Sequence, residues 1–140
     1  MMKNKKLVNT VKKIEKVLNS IEIILKKEYN FLINFNQNIY ILDTIIQEKK
    51  RLFKTYSILN QEKLLLEKIN SIYPPYNSNI ELKNYSSNFI KKSFILRDLN
   101  NKNKVLMNKN FYLNQYFLEL FISYKAALIY DKNGDLKKLN

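Results

Sequence analysis

Neither histidine nor cysteine occurs in the 140 residues, so chemistry would fall to lysine, tyrosine, hydroxyls and twelve carboxylates. That set excludes disulfides, thiolate nucleophiles, thiolate–imidazole metal sites and any Ser-His or Cys-His couple. The carboxylates form no cluster along the chain, and a single glycine leaves no phosphate-cradling loop. An enzyme is therefore the least supported class. No catalytic, cofactor-binding or metal-ligating residue is assigned.

The most distinctive polar stretch is LRDLNNKN, residues 96 to 103. It holds Arg97, one of only two arginines in the chain, the other being Arg51. Read as a helix, Leu96, Leu99 and Leu106 mark one side while Arg97, Asp98, Asn101 and Lys102 fall away from it. Arg97 and Asp98 are adjacent, so they point to different sides and make no i,i+4 pair. Asn103 and Asn110 lie on the apolar seam. A seam asparagine costs stability but can fix register and partner number. Plain asparagine-rich composition is the competing explanation, and the sequence leaves both open.

Three long helices must position these residues. In the first, Leu7, Val11, Ile14, Leu18, Ile21, Leu25 and Leu32 step by fours and threes over residues 5 to 33, with Glu28 in the one polar slot. A 3.5-residue repeat predicts packing along one face against other helices. NFNQN, residues 34 to 38, favours a short connection, because Asn side chains compete for backbone hydrogen bonds. Residues 39 to 72 resume the pattern with Leu42, Ile45, Leu52, Tyr56, Leu59 and Leu66, interrupted by Lys49 and Lys63 and widened by Ile46, Phe53, Leu65 and Ile69. The two prolines of YPPYNSN end that helix. The expected organisation is a single all-α domain: an antiparallel hairpin over 1–72, a Pro-containing loop over 73–86, a third helix over 87–126 with Ser87 as N-cap, and a flexible tail over 127–140. Heptads of this length suggest an elongated, coiled-coil-like arrangement.

The third helix has more apolar surface than two partners need. Leu106, Met107, Phe111, Leu113, Phe117, Leu118, Leu120 and Phe121 span more than one face. A helix apolar on two sides either lies deep in a core or awaits a partner. Here one face is expected to pack on the hairpin and another to receive an amphipathic helix of a client protein. Ordinary core packing is the alternative.

The formal charge of +13 suggests nucleic acid or an anionic membrane surface. However, the lysines are spread along the whole chain and over several helical faces. Heavy use of Lys, Asn, Ile, Tyr and Phe is also what an A/T-rich genome imposes. No nucleic-acid partner is expected, although a basic coiled coil binding nucleic acid or membrane is the second reading. The basic start MMKNKK is followed by no continuous apolar run, and no stretch is long enough to span a bilayer, so the cytoplasm is the expected compartment.

An ordered series of short matches runs through the chain. Val17-Leu18-Asn19, Glu28, Leu32, Glu48-Lys49 and Leu52 are followed by LRDLN-x-x-N, Leu106-Met107, Asn114-Gln115, Leu118-Glu119, Leu128-Ile129-Tyr130 and Gly134. In this the chain resembles the FlgN family of flagellar export chaperones for hook–filament junction proteins. The resemblance implies a small all-helical cytoplasmic chaperone without ATPase activity and without a cofactor. Its partners would be C-terminal segments of the flagellar hook-associated proteins and the cytoplasmic domain of the export gate of the type III secretion machine. Client contacts are then expected from Leu99, Leu106, Met107, Leu113, Phe117 and Leu120, and gate docking from Tyr130. Association of the heptads into a homodimer stays open. Two departures from the family are the high basicity and the absence of a proline-containing break in ISYKAALIY, so the helix is expected to run closer to Tyr130.

Overall fold

The structure, a computed structural model, describes the backbone of residues 2–34 and 38–132, and side chains within 4–109. Three helices follow one another: α1 (Met2–Ile33), α2 (Ile39–Asn70) and α3 (Ile80–Lys132). No strand occurs among the described residues. Residues 1–103 form one compact unit and 104–140 a second.

Cross-helix pairs give the directions in the first unit. Thr10 donates to Glu62 and Lys49 to Glu28, so α2 runs antiparallel to α1. Lys12 meets Glu81, Lys92 donates to Glu22, and Asn103 reaches Leu25 and Glu28, so α3 runs parallel to α1. The arrangement is up–down–up, with α1 in contact with both neighbours.

The heptad of α1 is its core face. Leu7, Val11, Ile14, Leu18, Ile21, Leu25 and Leu32 are all buried, joined by Ile24, Thr10 and Glu28. Each fully buried aliphatic side chain is worth roughly 1.5–3 kcal/mol, so this stripe dominates the apolar driving force of the unit. On α2, Ile45 and Leu52 are buried and Tyr56, Leu59 and Leu66 pack partly against them. The residues expected to widen that stripe fare differently: Phe53, Leu65 and Ile69 are exposed, since they sit on the shoulder of α2 beyond the reach of α1.

Both lysines that interrupt the α2 heptad face inward onto carboxylates. Lys49 pairs with Glu28, and Lys63 with Glu67 at 3.4 Å. The buried Tyr76 hydroxyl, from the α2–α3 connection, also donates to Glu67. Burial first, and the neighbouring Glu67 carboxylate second, push the Tyr76 hydroxyl well above its ordinary titration range, so it remains a donor.

The helix ends are set by asparagine and serine. Asn38 caps α2, its Oδ1 accepting from the N–H groups of Tyr40 (3.1 Å) and Ile41 (3.4 Å). At the other end Ser71 adopts the left-handed region (φ 51°, ψ 42°). Its N–H bonds Lys68 O, and the N–H of Ile72 bonds Glu67 O at 3.1 Å, which is the Schellman arrangement. The third helix starts seven residues earlier than expected. Asn79 accepts from Leu82 N–H through its side chain (3.1 Å) and from Lys83 N–H through its carbonyl (2.9 Å), while Ser87 lies exposed inside α3. Leu82 and Tyr85 are buried in that first stretch, so apolar seam and cap together favour the earlier start. The connection is therefore 71–79 rather than 73–86, and α3 continues to Lys132, past the expected end at 126. Of the expected tail, residues 133–140 lie outside the described residues.

Ser71→Gly relieves a left-handed residue that carries a Cβ, so it should stabilise the chain by about 1 kcal/mol in urea unfolding. The Glu22 carboxyl is held below its ordinary 4.5, first by the hydrogen bond from Lys92 and then by that from Lys26. Its contribution is thus complete above pH 4.5 and fades as pH falls through the lowered value. Glu22→Gln should shrink the acid-side loss of stability while lowering stability at pH 7.

Candidate functional site

At the far end of the first unit the three helices meet in a polar layer. The Asn103 amide on α3 donates to Leu25 O (2.9 Å) and to Glu28 Oε1 (2.8 Å) on α1. Lys49 on α2 donates to the same Glu28 oxygen at 2.9 Å. Glu28 and Asn103 are both buried almost completely. A buried carboxylate is tolerated only when paired and hydrogen-bonded, and here one donor comes from each neighbouring helix. The layer answers the question raised by the seam asparagine: Asn103 ties α3 to α1 at one register. Glu28, Lys49 and Asn103 are each visible in the sequence as polar residues in apolar heptad slots. Their meeting is not, because it requires the relative stagger of three helices.

Asn103 is the last residue of the first unit. Beyond it α3 carries the residues expected to hold a client. Positions 99, 106, 113 and 120 recur every seven residues, so along a helical backbone they stay within one face, drifting by about 20° per step. Leu99 belongs to the first unit and packs, half-buried, against its core. Leu106 and Met107 are half-buried and their neighbour Val105 is exposed. Leu113, Phe117 and Leu120 lie on the helical backbone of α3, and so does Tyr130; their side chains fall outside the described residues.

Among the described residues there is no group of three or more acidic side chains able to hold a metal ion, and no helix long and apolar enough to cross a membrane.

Two curated proteins are similar to this chain over most of their length. One, from Buchnera aphidicola subsp. Acyrthosiphon pisum, carries the name flagella synthesis protein FlgN and is 51% identical over 132 residues, covering 94% of this chain and 97% of its own. The chain belongs to the FlgN family. A protein of the same name from Buchnera aphidicola subsp. Schizaphis graminum is 38% identical over 121 residues, covering 86% of this chain and 88% of its own. No family model and no solved structure matches. FlgN membership assigns the chain to flagella synthesis. Near-complete coverage of both relatives means that the polar layer and the α3 stripe lie within the shared length.

Removing Glu28 strips the half-buried Lys49 of its ion-pair partner and the buried Asn103 amide of one of its two acceptors, leaving it Leu25 O. Glu28→Ala should cost about 3–5 kcal/mol in equilibrium unfolding. Replacing Glu28, Lys49 and Asn103 together by leucine should recover most of that loss, because no charge then remains buried.

Proposed function

We propose that the chain is a cytoplasmic export chaperone of the flagellar type III secretion system. It binds C-terminal segments of the hook-associated junction proteins, keeps them unassembled and delivers them to the export gate. FlgN family membership over nearly the whole chain carries this reading, since it fixes the process in which the α3 stripe would be used.

The physics of the stripe supports it. Client capture needs an apolar helical face that its own fold does not cover fully, and Leu106 and Met107 are half-exposed. An amphipathic client helix laid along 106, 113, 117 and 120 would be held by a few anchors. Each buried anchor gives roughly 1.5–3 kcal/mol before ordering costs, which suffices for micromolar or tighter binding. Met107 suits two different clients because its unbranched thioether repacks readily. Leu99, already engaged in the first unit, adds less. Tyr130 stands beyond the client stripe, where an amphipathic ring serves as a docking anchor for the gate.

The test is co-purification with a C-terminal fragment of a hook-associated protein. Leu106→Glu combined with Met107→Glu should weaken capture at least tenfold while helicity is retained; unchanged capture rejects the stripe. Tyr130→Ala should leave capture intact and reduce binding to the cytoplasmic domain of the gate. Equal loss of both would reject the division of labour.

A further inference from the structure

The first unit holds a second apolar groove, separate from the stripe at 106–120. Leu18, Ile21 and Leu25 of α1 form its floor, with Phe53 and Tyr56 of α2 as one wall and Phe89 of α3 on the other. The trough has a volume of about 320 Å³ and is open along its length. On α3 it follows a single stripe from Phe89 through Ser93 and Leu96 to Asn100. Eleven residues of helix advance about 17 Å, so the trough matches roughly three turns of a docked helix. Beside it, the Lys49 ammonium stands 5.7 Å from the centre of the Phe53 ring.

Charge selects the occupant. None of the residues lining the groove is acidic, and Arg97 lies on its lip. Arg51, the other arginine, makes two hydrogen bonds to Glu48, at 2.9 and 2.6 Å. Arg97 has no ion-pair partner among the described residues: its sequence neighbour Asp98 is taken by Lys102. Arginine presents a planar fork suited to a carboxylate. The chain carries +13, so a second copy would bring like charge to a basic lip, whereas an acidic helix would be drawn to it.

From this we infer that the groove docks an acidic amphipathic helix of a partner protein, with its apolar face against Phe53, Tyr56 and Phe89 above the buried floor and a carboxylate on Arg97. The site lies wholly within residues 1–103 and does not depend on the client reading of the later stripe.

The probe is a synthetic 16-residue helical peptide with leucine along one face and glutamate elsewhere, labelled for fluorescence anisotropy and titrated with the full chain. Controls are a scrambled peptide and one with lysine replacing glutamate. The original peptide should bind at least tenfold tighter than either. Arg97→Glu should weaken binding at least tenfold, Arg97→Lys much less, and Phe53→Glu at least tenfold, while the Leu106→Glu, Met107→Glu variant binds as the parent does. A photo-crosslinking residue at Ser93 should label the peptide. Equal binding of the scrambled peptide, or Arg97→Glu binding as tightly as the parent, overturns the proposal. So does a crosslink to a second copy or to the chain's own C-terminal segment. Circular dichroism verifies the fold of each variant, and Arg97, being exposed, is the variant least able to disturb it.

Discussion

A carboxylate with almost no access to water, placed where three helices touch, is the constraint on which the first unit depends. Glu28 is tolerable only while Lys49 and Asn103 both reach it. The apolar heptad of α1 is repetitive, and a neighbour displaced by one repeat would still find leucine and isoleucine to cover. Such a displacement would strand the Glu28 charge. Hydrophobic burial thus holds the helices together, and the polar layer selects one stagger among those that burial alone allows.

The same arrangement explains why a trough is left between α2 and α3. The first helix serves both neighbours, with Leu18, Ile21 and Leu25 reaching toward each. Helices packed on a shared third need not close on one another. The aromatic rings of Phe53 and Phe89 stand at the sides of the opening without sealing it. Along α3 the basic-lipped trough comes before Asn103, and the positions of the proposed client stripe at 106–120 come after it. The ordering of polar and apolar layers along α3 separates the two.

Much of this was legible in the residues. The seven apolar positions named on α1 are all buried, with Ile24 beside them, because a helix flanked by two others turns its heptad face to both. The breaks between helices fall near the asparagine run, of which 35–37 lie outside the described residues, and near the double proline, although α2 ends at Asn70 on the left-handed Ser71 before either proline is reached. α3 starts before Ser87 because two caps compete: Ser87 is a good capping residue, but Asn79 comes first and Leu82 and Tyr85 extend the seam to meet it. Lysines 49 and 63 read as interruptions; the stagger of α1 and α2 brings Lys49 onto Glu28, whereas Lys63 meets Glu67 one turn further along α2 itself. Among the expected client residues, Leu99 shows what spacing alone cannot decide. It shares its face with Leu106, yet it lies against the first unit's core.

A chain with one glycine must stop its helices with whatever its codons supply. Where a glycine would rest at ease after α2, a serine is held left-handed by the hydrogen bonds around it. The serine keeps the Cβ strain that a glycine would escape, and the paired hydrogen bonds from the N–H groups of Ser71 and Ile72 hold the chain there all the same.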